Sequence, residues 1–440
     1  MTSTAGGAGP ETEQPPPREA ARGRFAGLVG SRILAIADEV RALQASGRQI
    51  CNLSIGDFDP REFPIPRLLL ERIEGALRRG ETNYPPAAGI LALREQISAL
   101  YAREFGLSIA PASIVVTGGA RPGLFAAYQL TVDRGDRVVF PVPSWNNDHY
   151  CELAGATPVP IQCGSDTAFL PTAAMLASRL RGARLLVLNS PVNPSGTAFD
   201  RATLEAICDA ILEENARRSP EEPPLCLLYD QVYWMLTFGG RSHVIPQALR
   251  PEMAPYTILV DGISKAFAAT GLRVGWVCAP AHLAAQFSAL LGHVGAWAPR
   301  PVQVATAEML ADTEAVAAAR RTMQLGLQRR LDRLHAGMLA LRRDGLPVEA
   351  VAPAGAMYLS VRFGSREGRG LAGPAVDPTE AIRCFLLERA GLAAVPFEAF
   401  GFHGEPGWFR LSVGSVSESA IGDLLVRLRG ALEQLDAHRS

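Results

Sequence analysis

Short apolar runs in the middle of this 440-residue chain are each followed by polar residues of a kind that does chemistry. After Ile114-Val115-Val116 comes the small-residue loop Thr117-Gly118-Gly119-Ala120-Arg121, and after Val138-Val139-Phe140 comes Pro143-Ser144-Trp145-Asn146-Asn147. The run Leu185 to Leu188 leads into Asn189-Ser190-Pro191-Val192-Asn193-Pro194-Ser195-Gly196. The run ending at Tyr229 gives Asp230-Gln231-Val232-Tyr233, and the run ending at Val260 gives Asp261-Gly262-Ile263-Ser264-Lys265, with Arg273 further on. Singly, these are ordinary: a Gly-Gly-Ala turn, a core Trp145, an Asp230 capping a helix, a solvated Lys265. As an ordered set they are a loop, an aromatic, an amide, a carboxylate with a tyrosine, and a lysine with an arginine. In an open parallel α/β sheet ligands bind outside the carboxyl ends of the strands, where such a set would converge. Lys265 would supply an amine that acts as nucleophile and then as base once its pKa is tuned.

The elements that must position them read as α/β. The runs lack polar–apolar alternation, as strands covered by helices on both faces require. Val274 to Cys278 adds another run, and ahead of the runs Ile90, Leu93, Ile97 and Leu100 recur at helical spacing. From about 303 to 343 an Ala, Leu and Arg-rich stretch predicts one or two long helices. Beyond it the sequence predicts a strand at Ala356–Phe363, a helix near Pro378, a strand around Phe409–Val413 and a last helix from about Glu418. The expected fold is therefore a large domain with a mostly parallel sheet flanked by helices, residues 56–310, plus a smaller α+β domain, 311–440. Residues 21–55 are expected to pack with the smaller domain. Residues 1–20, rich in Gly, Pro, Thr and Glu, are expected to be a disordered tail.

Composition narrows the function. Lys plus Arg is 43 and Asp plus Glu 44, so the basic excess of a nucleic-acid binder is missing. No apolar run approaches the roughly 20 residues of a membrane span, and no signal peptide is read at the N-terminus. Seven scattered cysteines without a CxxC pair predict reduced thiols in a cytoplasmic protein, with no metal site.

The ordered set resembles the class I/II aminotransferases, fold type I enzymes that use pyridoxal 5′-phosphate, and is most similar to their aspartate aminotransferase branch. The resemblance rests on SIGDFDP (54–60), NYPPAAGILALRE (83–95), TGGARPGLF (117–125), NPSG (193–196), YDQVY (229–233), SKAFAATGLRVGW (264–276) and WFRLSVG (408–414). It implies that Lys265 is the Schiff-base lysine and that Asp230 faces the pyridine nitrogen. Asn193 and Tyr233 would bond the ring's phenolic oxygen, and Trp145 would stack on its face. The backbone of Gly119-Ala120-Arg121 would cradle the phosphate, helped by Ser264 and Arg273 and by Tyr84 from a second protomer of a homodimer. Arg410 would clamp the substrate's α-carboxylate, under a loop containing Gly56.

Three positions depart from the family pattern: Gly262 stands where serine is frequent, Arg121 where threonine or lysine is, and the arginine that reads a distal carboxylate has no clear counterpart. A dicarboxylic donor such as aspartate or glutamate is nonetheless the expected substrate. Arg32 is the candidate cation for its distal carboxylate, with His293 and Arg300 as rivals. The competing functions are a lyase, an aminocyclopropane-carboxylate synthase-like enzyme or an oxidase on the same scaffold, and a non-enzymatic cofactor-binding regulator. The regulator is disfavoured because the N-terminal tail is too short and not basic enough for a DNA-binding module.

Overall fold

A computed structural model describes residues 30, 32–364 and 377–437; the expected tail, 1–20, lies outside them. In chain order the strands are β1 (Cys51–Asn52), β2 (Ile114–Thr117), β3 (Arg137–Val142), β4 (Thr157–Gln162), β5 (Ala183–Asn189), β6 (Cys226–Asp230), β7 (Thr257–Gly262) and β8 (Gly275–Cys278). They continue with β9 (Val348–Val351), β10 (Tyr358–Phe363), β11 (Leu392–Ala393), β12 (Val395–Pro396) and β13 (Trp408–Ser412). Seven of them form the main sheet in the order β2-β8-β7-β6-β5-β3-β4. All its pairings are parallel except those of β8, which runs antiparallel to β2 and β7.

Alternate residues of these strands feed two different cores. Val116, Val139, Leu186, Leu188, Leu227 and Leu259 belong to the cluster on one face. Val115, Val138, Phe140, Leu185, Val187, Leu228 and Val260 belong to the cluster on the other. That two-sided burial is why the strands read as unbroken apolar runs. β4 (TPVPIQ) has no such run: it is the sheet edge, where Pro158 and Pro160 are tolerated because only one side is paired.

A second sheet, β12-β13-β10-β9, is antiparallel, and Phe363, Phe409, Leu411 and Val413 share a core with Met323, Leu327, Leu331 and Leu334. The long helical stretch is two helices, Arg300–Ala311 and Thr313–Arg343. Asp312 divides them, its side chain accepting from the Ala315 amide at 2.9 Å as a helix cap. Ahead of the main sheet, helix Arg32–Ala45 buries Ile36 and Val40 against Leu387, Val395 and Phe397, and β1 pairs in parallel with β11. All seven cysteines are unpaired, and six are buried. Among the described residues no helix is long and apolar enough to cross a membrane, and no His/Cys/Asp/Glu cluster could hold a metal ion.

Candidate active site

The carboxyl ends of β3, β5, β6 and the turn after β7 open into one cavity of about 590 Å³. Gly56, Ala120, Arg121, Trp145, Asn193 and Asp230 line it, together with Tyr233, Ser264, Lys265, Arg273 and Arg410. The chain thus brings together residues far apart in sequence: most follow strands of the main sheet, whereas Gly56 follows β1 and Arg410 lies on β13 of the second sheet.

At one end of the cavity the turn after β2 starts the helix Ala120–Thr131. Gly119 sits there at φ +90°, and a Cβ on it would lie 2.2 Å from Arg273 Nη2. A Cβ on Gly275 would lie 2.5 Å from the Gly119 carbonyl carbon. Two glycines therefore let β8, the turn and the Arg273 guanidinium close on one another. Arg273 donates to the carbonyls of Thr270 (2.7 Å) and Gly118 (3.0 Å), which aims the guanidinium at the helix start. Free backbone amides, the helix dipole and a fixed guanidinium make an anion cradle.

Lys265 lies in the short helix directly after β7, and its Nζ donates to Gly56 O at 2.7 Å. Burial pushes its pKa down to about 8; Asp57 opposes the shift, while Arg410, Arg121 and Arg273 add to it. Such an amine is partly unprotonated near neutral pH, as a nucleophile must be. Asp230 ends β6. Burial raises its carboxyl to about 7 against the pull of the Val232 amide, its side-chain partner at 3.2 Å. Tyr233 OH lies 2.6 Å from Tyr358 OH.

Arg410 projects from β13 and is 2% exposed. It donates to Asn193 Oδ1 (3.0 Å) and Ser54 O (2.6 Å), lies over the rings of Tyr358 and Phe400 at 4.8 and 5.0 Å, and keeps Nε unpartnered. Burial lowers its pKa, yet a guanidinium stays charged. Arg121 is exposed and lies 4.4 Å over the Trp145 ring. Tyr358, Asp57, Ser54 and Thr270, whose hydroxyl donates to Asp57 Oδ1 at 2.7 Å, also shape the site. Sequence reasoning missed them: Tyr358 sits mid-strand among apolar residues and carries no local signal, whereas Asp57 directly follows Gly56.

Residues 48–428 match the family described as aminotransferase class I and II. The chain belongs to that family. Among relatives of this aminotransferase, the aspartate aminotransferase of Pinus pinaster is 34% identical over 86% of the chain and 74% of its own length. In the solved aspartate aminotransferase of Thermus thermophilus with maleate, 29% identity accompanies a TM-score of 0.81, covering 93% of this chain and 98% of that one. The aromatic aminotransferase of Pyrococcus horikoshii OT3 superposes with a TM-score of 0.78 at 27% identity, covering 91% and 99%. The fold is the expected fold type I α/β architecture, and the enzyme is a pyridoxal-phosphate-dependent transaminase, similar above all to aspartate aminotransferases. The cavity fits that cofactor: an anion cradle, a buried amine and a buried carboxylate with spare acceptor capacity are what a phosphorylated pyridine aldehyde needs.

Three expected site residues, Gly119, Arg32 and Tyr84, are not among those lining the cavity, although Gly119 sits in the turn at its end. Arg32 does not face it: Nη2 donates to Glu380 Oε2 at 3.0 Å, so the expected reader of a distal carboxylate is instead committed to an ion pair. Its neighbours Ile33 and Leu34 line the cavity in its place. Of the rivals, Arg300 is bound to Glu81 at 2.7 Å and His293 lies exposed at a helix end. Tyr84 is 82% exposed, its ring edge-on to Trp297 at 5.3 Å, and does not reach the cavity of its own chain.

Proposed function

We propose that this transaminase moves the amino group of a dicarboxylic amino acid, aspartate or glutamate, to a 2-oxo acid, with Arg410 holding the α-carboxylate and Arg121 the distal one. When bound, pyridoxal 5′-phosphate supplies an electrophilic carbonyl carbon and an electron-withdrawing ring that acidifies the substrate Cα–H. The amides of Gly119, Ala120 and Arg121, with Ser264 and Arg273, would hold its phosphate. Asp230 would hold the proton on the ring nitrogen, Asn193 and Tyr233 would orient the ring hydroxyl, and Trp145 would cover one face. Lys265 would be the residue that holds the cofactor through its carbonyl carbon, and its Nζ, when free, would be the base for the substrate's Cα proton. Gly56 O, which accepts from Lys265 Nζ, orients that amine within the cavity.

The observation that carries this reading is the convergence of Lys265, Asp230, Arg273 and Arg410 on one cavity. For the side chain, the support is Arg121: Lys265, Arg273 and Arg410 each donate to protein oxygens, whereas no such bond holds Arg121 among the described residues. The names of the Pinus and Thermus relatives point the same way. A two-fold dimer, with Tyr84 of one protomer completing the phosphate site of its partner, would account for the exposure of Tyr84. Unpaired cysteines support a cytoplasmic setting. Following the cofactor's visible absorbance through the half-reaction tests the substrate reading. Arg121→Ala should lower kcat/KM for aspartate at least tenfold more than for alanine; equal losses would refute Arg121 as the distal cation.

A further inference from the structure

Tyr233 follows β6 of the main sheet, and Tyr358 begins β10 of the second. Their hydroxyl oxygens lie 2.6 Å apart, with the rings edge-on at 5.6 Å. Both residues line the cavity and both are buried. Among the described residues neither hydroxyl has another hydrogen-bond partner. Burial raises both phenols above their ordinary value, so near neutral pH each is protonated and has one proton to give.

Two protonated phenols at that distance share one hydrogen bond, which leaves one proton over. If Tyr233 donates to Tyr358, Tyr233 has no proton left for a ligand. If Tyr358 donates to Tyr233, the Tyr233 proton is free to point into the cavity. An acceptor oxygen placed beside Tyr233 selects the second arrangement, because only there does Tyr233 satisfy it.

The strand holds Tyr358 where it can do this. β10 presses on the loop that carries Asn193: Ser360 Oγ donates to Ser195 O at 2.8 Å, and the amides of Ala354 and Gly355 donate to Gly196 O at 2.8 and 3.0 Å. Gly196 has φ +73°, and a Cβ on it would collide with the Tyr358 carbonyl oxygen, so only glycine lets the strand approach. A Cβ on Gly56 would lie 2.9 Å from the Tyr358 hydroxyl, so that position too is kept clear for it. The Arg410 guanidinium, 4.8 Å over the Tyr358 ring, opposes the effect of burial there and strengthens this hydroxyl as a donor.

We infer that Tyr358 is a positioning residue: its hydroxyl donates to the Tyr233 oxygen and so leaves the Tyr233 proton directed at the ring oxygen of the bound cofactor. This rests on Tyr233 as a partner of that oxygen. A hydroxyl whose own oxygen accepts a hydrogen bond is polarised and donates more strongly. A residue of the second sheet thus sets the strength of a contact made from the main sheet.

The test is a pH titration of the visible absorbance of the holoenzyme without substrate. The ring oxygen is most negative once the bound cofactor has given up its proton, so a donor to that oxygen favours this form and lowers the midpoint. Tyr358→Phe keeps the ring beneath Arg410 and removes only the hydroxyl. Its midpoint should lie about 0.5 pH unit above wild type, as for a donor weakened but not lost, with KM for aspartate within about twofold. Tyr233→Phe should move the midpoint further in the same direction, by about 1 unit, and the double variant should match Tyr233→Phe alone. An unmoved midpoint in Tyr358→Phe beside a shifted one in Tyr233→Phe would overturn the inference and leave the reading of the site intact. Additive shifts would overturn it by making the two hydroxyls independent, and a larger shift in Tyr358→Phe than in Tyr233→Phe would make Tyr358 itself the donor. A raised KM at an unmoved midpoint would reduce Tyr358 to a support for Arg410. No shift in Tyr233→Phe would instead defeat Tyr233 as the partner of the ring oxygen, and this inference with it.

Discussion

Asp230 and Asp261 lie at the ends of neighbouring strands, β6 and β7, and burial raises both carboxyls, to about 7 and about 8. Their partners differ. Asp261 accepts from the Gly262 amide at 2.7 Å, from Trp234 Nε1 at 2.8 Å and from Tyr101 OH at 3.2 Å. Tyr101 OH accepts in turn from Gln231 Nε2 and Trp276 Nε1. Among the described residues Asp230 has only the Val232 amide at its carboxylate, and it faces the cavity. The two groups are chemically alike, but the first is saturated by the protein and the second keeps acceptor capacity for a ligand. Burial alone does not mark a functional carboxylate; burial with an unfilled valence does.

The largest effect expected from that contrast is on catalysis. Asp230→Ala should lower kcat by about 10²–10⁴-fold, the range for losing a group that controls a proton in the transition state, with no loss of thermal stability. Near wild-type turnover would erase the distinction between the two carboxylates. Asp261→Ala should do the reverse. It strands the buried Tyr101 and Trp234 donors, at about 1–3 kcal/mol each, so the unfolding midpoint in urea should drop clearly while folded holoenzyme keeps most of its turnover. An activity collapse at unchanged stability would move Asp261 into the reacting set.

Arg410 extends the comparison to a cation. With Nε unpartnered, it resembles Asp230 in keeping a valence open. Arg410→Ala should weaken amino-acid binding by about 1.5–3 kcal/mol, read as KM in steady state. An unchanged KM would mean the open valence faces no carboxylate. The smallest effect is on pH dependence in the cofactor-free protein. Asp230 titrates at 3.8 when unperturbed and at about 7 when folded. The folded state binds the extra proton, so this group's contribution to stability is complete below 3.8 and is lost as pH rises toward about 7. Asp230→Asn should flatten that decline in chemical denaturation; a slope equal to wild type would place the titration elsewhere.

Much of the main sheet was legible because its strands are buried on both faces. Ile114 to Val116, Leu185 to Leu188 and Ile258 to Val260 each lie inside a strand of the structure. β4 was not legible, since an edge strand needs no continuous apolar run and carries two prolines. The antiparallel direction of β8 has no local signature either, being set by what the chain does on both sides of it. At the site, strand-end residues were legible from their position after apolar runs, and Lys265, Asp230 and Arg273 do line one cavity. Tyr358 was invisible because the bond it makes, to Tyr233, spans 125 residues of sequence. The partner of Arg32 was hidden for a related reason: Glu380, which accepts from its guanidinium at 3.0 Å, lies 348 residues away in sequence.

The strand order bears on how the enzyme is made. β2 is an edge strand, and its one neighbour in the sheet is β8, the last of the seven to be synthesised. The Gly119 turn that follows β2 is closed by Arg273 and Gly275. On a chain still leaving the ribosome, the first-made strand therefore waits unpaired until residues 275–278 have emerged, and the anion cradle cannot form before then. The turn that Arg273 and Gly275 close is therefore completed only after Asp230 and Lys265 have been synthesised.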